Sequence, residues 1–250
     1  MNRINESTLN ETRLIGTSCC TTEKKIKNLI DSIENNSNNI EMFNFFDIKG
    51  TVLLYGIAGG GKTSIAKNVM YYALDKYGIE SYSINPSEII TSGLGESVKN
   101  LSDELKEFDE KEEGILFIDE IDKFFINRTS QDELSELKRL LIEMMSFIDR
   151  LSIDKKKILI GCTNIFEQMD SALKRRFAIC EEIGKPSEDE KLEFCKICLE
   201  KVGLQFKTNQ NCIDRKFLQQ FETMDSIKSY FRNKIIMNQI KSINNDIIMH

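Results

Sequence analysis

The chain has 250 residues, with 34 Lys plus Arg against 40 Asp plus Glu and a formal net charge of −6. Apolar residues make up 40% and charged residues 30%, enough for one large domain and a small one with a sizeable core. The acidic balance disfavours non-specific nucleic-acid binding. No apolar run reaches the roughly 18 residues of a membrane span, and the polar start lacks the apolar core of an export signal; a cytoplasmic protein is expected.

Seven cysteines in a chain without an export signal read as reduced thiols. Cys195 and Cys198 fall on a helical face with Leu192 and Leu199, and Cys212 follows. Half a zinc site is conceivable there, but the one histidine is His250, so small buried residues are the better reading.

In chain order, residues 1–22 show little apolar periodicity and read as a flexible tail. Ile26, Leu29, Ile30 and Ile33 mark a helix, and the Asn-rich residues 35–39 a loop. Met42, Phe43, Phe45 and Phe46 read as core, with contact to an adenine ring as the alternative. Thr51 to Tyr55 is an apolar strand that breaks into Gly56-Ile57-Ala58-Gly59-Gly60-Gly61-Lys62-Thr63, the spelling G-x-x-x-x-G-K-[ST] of a phosphate-binding loop. Glycines let backbone N–H groups approach a phosphate chain, and the following helix points its positive end at the same place. Lys62 supplies a point charge to the β- and γ-phosphates, the Thr63 hydroxyl can ligate Mg²⁺, and Ser64 continues the loop into the helix. The helix runs to about Lys76.

Glu80 to Ile84 reads as a second strand, and Asn85-Pro86-Ser87 opens a short helix. A glycine-containing loop, Thr91 to Ser97, precedes a helix with Val98, Leu101, Leu105 and Phe108 inward. Ile115-Leu-Phe-Ile118 suits a strand covered on both faces. Asp119 and Glu120 end it, where open α/β sheets bind ligands: Asp119 to hold Mg²⁺, Glu120 to orient and polarise water. A long helix from Ser130 to Leu151 should bury Leu134, Leu137, Leu141, Met144, Met145 and Ile148. The next strand ends in Thr163-Asn164, a polar pair suited to contact with a γ-phosphate. Arg175 and Arg176, in Met169-Asp-Ser-Ala-Leu-Lys-Arg-Arg-Phe177, have the planar fork that matches phosphate oxygens. Ile179 to Ile183 is the last strand. After Pro186 only helical patterns remain: 188–202, 215–221 and 226–243.

These residues, in this order, resemble the AAA clade of AAA+ ATPases over about residues 23–245, with a finer likeness to small stand-alone bacterial members. GIAGGGKT resembles the Walker A motif, ILFIDE the Walker B, Asn164 the sensor-1 residue, and MDSALKRRF the segment carrying arginine fingers at Arg175 and Arg176. LGES at 94–97 resembles the end of a pore loop, which here would comprise Gly93, Leu94 and Gly95. The resemblance implies a P-loop α/β fold with a five-stranded parallel sheet in the order 5-1-4-3-2, a large domain over 23–184 and a helical lid over 185–250. It also implies ATP and Mg²⁺ as ligands, a homo-oligomeric ring, usually hexameric, and remodelling of a protein client, with a separately encoded effector such as a protease as a further expected partner. Two departures stand out. Ile57 and Ala58 replace the usual prolines, and Gly93 replaces the pore aromatic that would grip a threaded chain. A nucleotide-dependent switch that recruits a partner without threading is the alternative expectation.

Overall fold

A computed structural model describes residues 1–9, 14–35, 40–90, 95–124, 131–151, 156–203, 213, 215–237, 239 and 243, without the side chains of 131–134. The expectations for Gly93, Leu94 and Cys212 lie outside these residues. Tertiary contacts divide the chain into two compact units. The first is Met1–Thr12, Thr21–Gly56 and Lys62–Glu182; the second is Arg13–Cys20, Ile57–Gly61 and Ile183–His250.

The strands are β1 (Asn2–Arg3), β2 (Thr51–Gly56), β3 (Ser81–Ser83), β4 (Gly114–Ile118), β5 (Lys157–Thr163) and β6 (Ile179–Ile183). Their order is β1-β3-β4-β5-β2-β6. Five of them reproduce the expected 5-1-4-3-2 arrangement. The sixth is a correction: Asn2 and Arg3 pair antiparallel with Ser83 and Tyr82 of β3, and Arg3 forms an ion pair with Glu80 at 2.5 Å. A 3-10 turn at Glu6–Thr8 and a buried Leu9 (2% exposed) follow. The stretch expected to be a flexible tail thus supplies an edge strand. Two polar residues carry no periodicity from which to read one.

All residues of β4 and β5 are buried, as continuous apolar runs between helix layers should be. Parallel register sets Leu53 beside Gly161 and Tyr55 beside Thr163, and Ile118 beside Gly161. Gly161 is a packing requirement. A Cβ there would stand 3.2 Å from Ile121 Cδ1 and 3.3 Å from Leu53 Cδ1, so the missing side chain admits the turn that follows β4. The register brings the carboxyl ends of β2, β4 and β5 side by side, and the chemistry-bearing residues leave the sheet there.

The helices of the first unit are α1 (Thr17–Asn35), α2 (Ile40–Phe45), α3 (Lys62–Tyr77), α4 (Pro86–Ile89), α5 (Glu96–Asp109), α6 (Gln131–Arg150) and α7 (Ser171–Lys174); the first turn of α1 is grouped with the second unit. The predicted faces of α1 and α5 are buried, except that Val98 is half-buried. On α6 the buried face is Leu137, Leu140, Met144, Phe147 and Ile148, with Leu141 and Met145 half-buried, a rotation of the expected stripe. In the 40–46 cluster only Phe43 is core (4% exposed); Phe45 and Phe46 are 80% and 64% exposed.

The second unit contains α8 (Glu188–Lys201), α9 (Arg215–Gln219) and α10 (Met224–Ile236) around Cys195, Leu199, Phe217, Phe221, Ile227 and Phe231. Ser187 and Glu190 form a capping box on α8. Glu190 also accepts from the Thr17 N–H at 2.8 Å. Burial pushes the Cys195 and Cys198 thiols up to about 12 and about 11, the behaviour of packed small side chains. Among the described residues no helix is long and apolar enough to cross a membrane.

Candidate functional site

Lys62 opens α3 directly after the glycine run, and its ammonium is buried (6% exposed). It donates to the Gly56 carbonyl at 3.1 Å and to Asn164 Oδ1 at 2.6 Å. Burial lowers its pKa, opposed by Cys162, Asp119 and Asp122. Burial also holds the Cys162 thiol far above its ordinary range, so it stays neutral, and the two carboxylates are the charges that favour the ammonium. Asn164 emerges from β5 beside β2, which brings it from 102 residues away. The next residue is anchored by the Ile165 N–H, which donates to Thr163 Oγ1 at 3.1 Å.

One residue beyond Lys62, the Thr63 hydroxyl donates to Asp119 Oδ2 at 2.9 Å. Hydroxyl and carboxylate oxygens are the hard donors that Mg²⁺ takes, usually alongside water and phosphate. These two face one another at a length a metal ion would replace, so the pair fits Mg²⁺. Asp119 Oδ1 accepts from the Glu120 N–H at 3.0 Å. Glu120 adopts φ 52°, the left-handed region that non-glycine residues seldom occupy. Its carboxylate is paired with Lys123 at 2.5 Å, and that pairing is the first cause of the raised Lys123 pKa.

The residues Ile57–Gly61 group with the second unit. The Gly60 N–H donates to the Ile57 carbonyl at 3.2 Å, turning the loop tightly. Gly59 has φ +72°, and a Cβ there would meet Thr223 Oγ1 at 3.0 Å. Gly61 has φ +106°. The left-handed backbone at Gly59 and Gly61 is one that side-chain-bearing residues seldom adopt. Ala58 is exposed, and Ser64, in the first turn of α3, is half-buried.

The two arginines separate. Asp170 caps α7 by accepting from the Ala172 and Leu173 N–H groups at 2.7 and 3.4 Å, which fixes the turn carrying both. Arg176 is committed within the chain: Nε donates to both Asp149 oxygens at 3.0 Å and Nη1 to the Ala172 carbonyl at 2.8 Å. The buried Thr51 hydroxyl donates to the Arg176 carbonyl at 3.0 Å and accepts from the Ala178 N–H at 2.9 Å, tying the turn to β2. Arg175 is exposed, and among the described residues its guanidinium has no partner.

The structure therefore gathers Gly56, Lys62, Thr63, Asp119 and Asn164 in one place. Gly95, the one described member of the expected pore loop, is a left-handed residue before α5 (φ 79°). Sequence reasoning missed Lys123, Asp149 and Thr51. Lys123 follows Glu120 by three residues in a 3-10 turn, a spacing that could have flagged it. Asp149 and Thr51 act across 27 and 125 residues and left no local signal.

The model of the ATPase family associated with various cellular activities matches residues 52–185, a span reaching from β2 past β6. A proteasome-activating nucleotidase of Methanococcus maripaludis is 34% identical over 72% of this chain and 45% of its own length. An outer mitochondrial transmembrane helix translocase of Danio rerio is 33% identical over 62% of this chain and 42% of its own. A vacuolar protein sorting-associated protein 4 of Dictyostelium discoideum is 32% identical over 58% of this chain and 32% of its own. The chain matches less than half the length of each.

Proposed function

Because the chain belongs to the ATPase family associated with various cellular activities, the AAA family, we propose that it hydrolyses ATP as a homo-oligomeric ring and remodels a protein client. The observation that carries the chemistry is the meeting of Lys62 with Asn164 and of Thr63 with Asp119 at the ends of three adjacent strands. Backbone N–H groups of Lys62, Thr63 and Ser64 at the start of α3 face the phosphates, and Lys62 bears on the β- and γ-phosphates. Thr63 and Asp119 hold Mg²⁺, which when bound neutralises charge on the phosphate oxygens. Glu120 takes a proton from water as its oxygen bonds to the γ-phosphorus. The bond to the β–γ bridging oxygen breaks, and ADP and phosphate leave. Asn164 is placed to hydrogen-bond the γ-phosphate and orient that water.

Arg175 is the finger offered to a neighbouring subunit's nucleotide, since it is exposed while Arg176 is spent on Asp149. This refines the reading of the two as an equivalent pair. A ring follows from the need for an arginine in trans; six subunits follow the family's habit. The relatives' names (activation of a proteasome, translocation of a transmembrane helix, protein sorting) support a protein as client. Indifference to nucleic acid accords with the acidic balance.

The test is Glu120→Gln. It should bind ATP with wild-type affinity and lose about 10²–10⁴-fold in turnover; turnover at the wild-type rate would refute the base assignment. Stimulation of hydrolysis by an unfolded polypeptide such as casein separates a remodeller from a switch that recruits a folded partner.

A further inference from the structure

We propose that Lys123 is a positioning residue that clamps Glu120 in the resting chain, so that the clamp must open before Glu120 can act on water. The inference rests on the reading of Glu120 as the base.

Glu120 is held from two directions. Its N–H donates to Asp119 Oδ1 at 3.0 Å, and its carboxylate takes the Lys123 ammonium at 2.5 Å. The ammonium does not end there, because it also donates to Ser87 Oγ at 3.1 Å. Ser87 is itself fixed at the start of α4, its N–H donating to Asn85 Oδ1 at 3.1 Å. One flexible side chain thus joins the carboxyl end of β4 to α4, an element 36 residues away. Among the described residues Lys123 is the one cation paired with Glu120, and the pairing fixes the carboxylate through Oε2, which limits the directions its lone pairs can present to an attacking water. A base must be within hydrogen-bond reach of the proton it takes, and a carboxylate anchored through Lys123 to Ser87 of α4 turns toward water only after that anchor slips.

The pair is built to release. Lys123 is 39% and Glu120 48% exposed, so solvent screens their attraction. The left-handed backbone at Glu120 is a conformation a non-glycine residue holds only while its surroundings fix it. Asp119, Glu120 and Asp122 all lie close enough to act on the Lys123 charge, so the lysine keeps carboxylate neighbours when it lets go of this one. The restraint is modest: enough to set a resting rate, too weak to abolish turnover.

The experiment is steady-state hydrolysis of Mg²⁺·ATP by the full chain and its variants. Lys123→Met should raise kcat by about two- to five-fold with KM unchanged, because the clamp acts on the base and not on nucleotide binding. Lys123→Arg, which can remake the pair, should return to the wild-type rate. Ser87→Ala should raise kcat by less. The double variant Glu120→Gln, Lys123→Met should be as slow as Glu120→Gln, since there is then no base to release. A Lys123→Met protein with wild-type melting temperature and nucleotide affinity but a kcat at or below wild type overturns the proposal. If Lys123→Met melts early, Ser87→Ala decides, and no rise there overturns it equally. A Glu120→Gln protein that turns over normally would instead sink the base assignment, a separate result.

Discussion

Exchanging Asn164 for Asp probes the site at the point where its charge balance is tightest. Asn164 Oδ1 lies 2.6 Å from the Lys62 ammonium, which is buried and already lowered in pKa by that burial. The substitution keeps shape and volume and adds one negative charge at the nearest acceptor. At 2.6 Å and an effective dielectric of about 20, the gross attraction is on the order of 6 kcal/mol. Desolvation of the lysine and exposure of residue 164 leave a net of about 1–3 kcal/mol. That energy must be given back when the lysine turns to phosphate, and the new carboxylate also repels the triphosphate. ATP affinity should therefore fall by about 5- to 150-fold. Asn164→Ala, which removes the acceptor without adding charge, should keep near-normal affinity and lose turnover. Equilibrium titration with a fluorescent ATP analogue separates the two. Asp and Ala variants of equal affinity would refute the reasoning, because Lys62 would then not be the group that meets the nucleotide.

Two further outcomes follow from the geometry. Arg175→Ala should bind ATP normally and lose up to about a thousandfold in hydrolysis, with activity regained on mixing with Lys62→Ala subunits; Arg176→Ala and Asp149→Ala should instead lose thermal stability first, as their pairing is internal, and no rescue at any mixing ratio would count against an arginine acting in trans. Glu190 is held below its ordinary carboxyl range: burial opposes this, but N–H donors from Ser187 and Thr17 outweigh it. Because its folded-state pKa is depressed, its stabilisation is complete above the ordinary value of 4.5 and is lost as pH falls through the folded value. Glu190→Gln should lower the melting temperature at pH 7 and converge with wild type in acid, whereas a pH-independent difference would show that hydrogen-bond geometry and not charge is responsible.

Much of the site was legible because its signals are local. The phosphate loop is eight consecutive residues, and Asp119 and Glu120 end an apolar strand. What escaped depends on long-range pairing. Arg175 and Arg176 are chemically identical neighbours, and Asp149 on α6 together with the Ala172 carbonyl distinguishes them. Thr51 reads as the first residue of a strand, yet its hydroxyl fixes the arginine turn. Phe45 and Phe46 look like core from composition, but a six-residue helix presents one face inward, and Phe43 takes it. The small rotation of α6 arises the same way: Leu140 and Phe147 fit the core better than Leu141 and Met145, a choice made by the neighbours and not by the periodicity.

The central claim is that this chain completes its active site with a second copy of itself. It is tested most directly by measuring ATP hydrolysis per subunit against protein concentration, with molar mass read by light scattering on the same samples. The account predicts a rate per subunit that climbs steeply as mass rises from monomer toward a ring, and an Arg175→Ala protein that assembles without that climb. A rate independent of concentration, from a chain that stays monomeric, would contradict it.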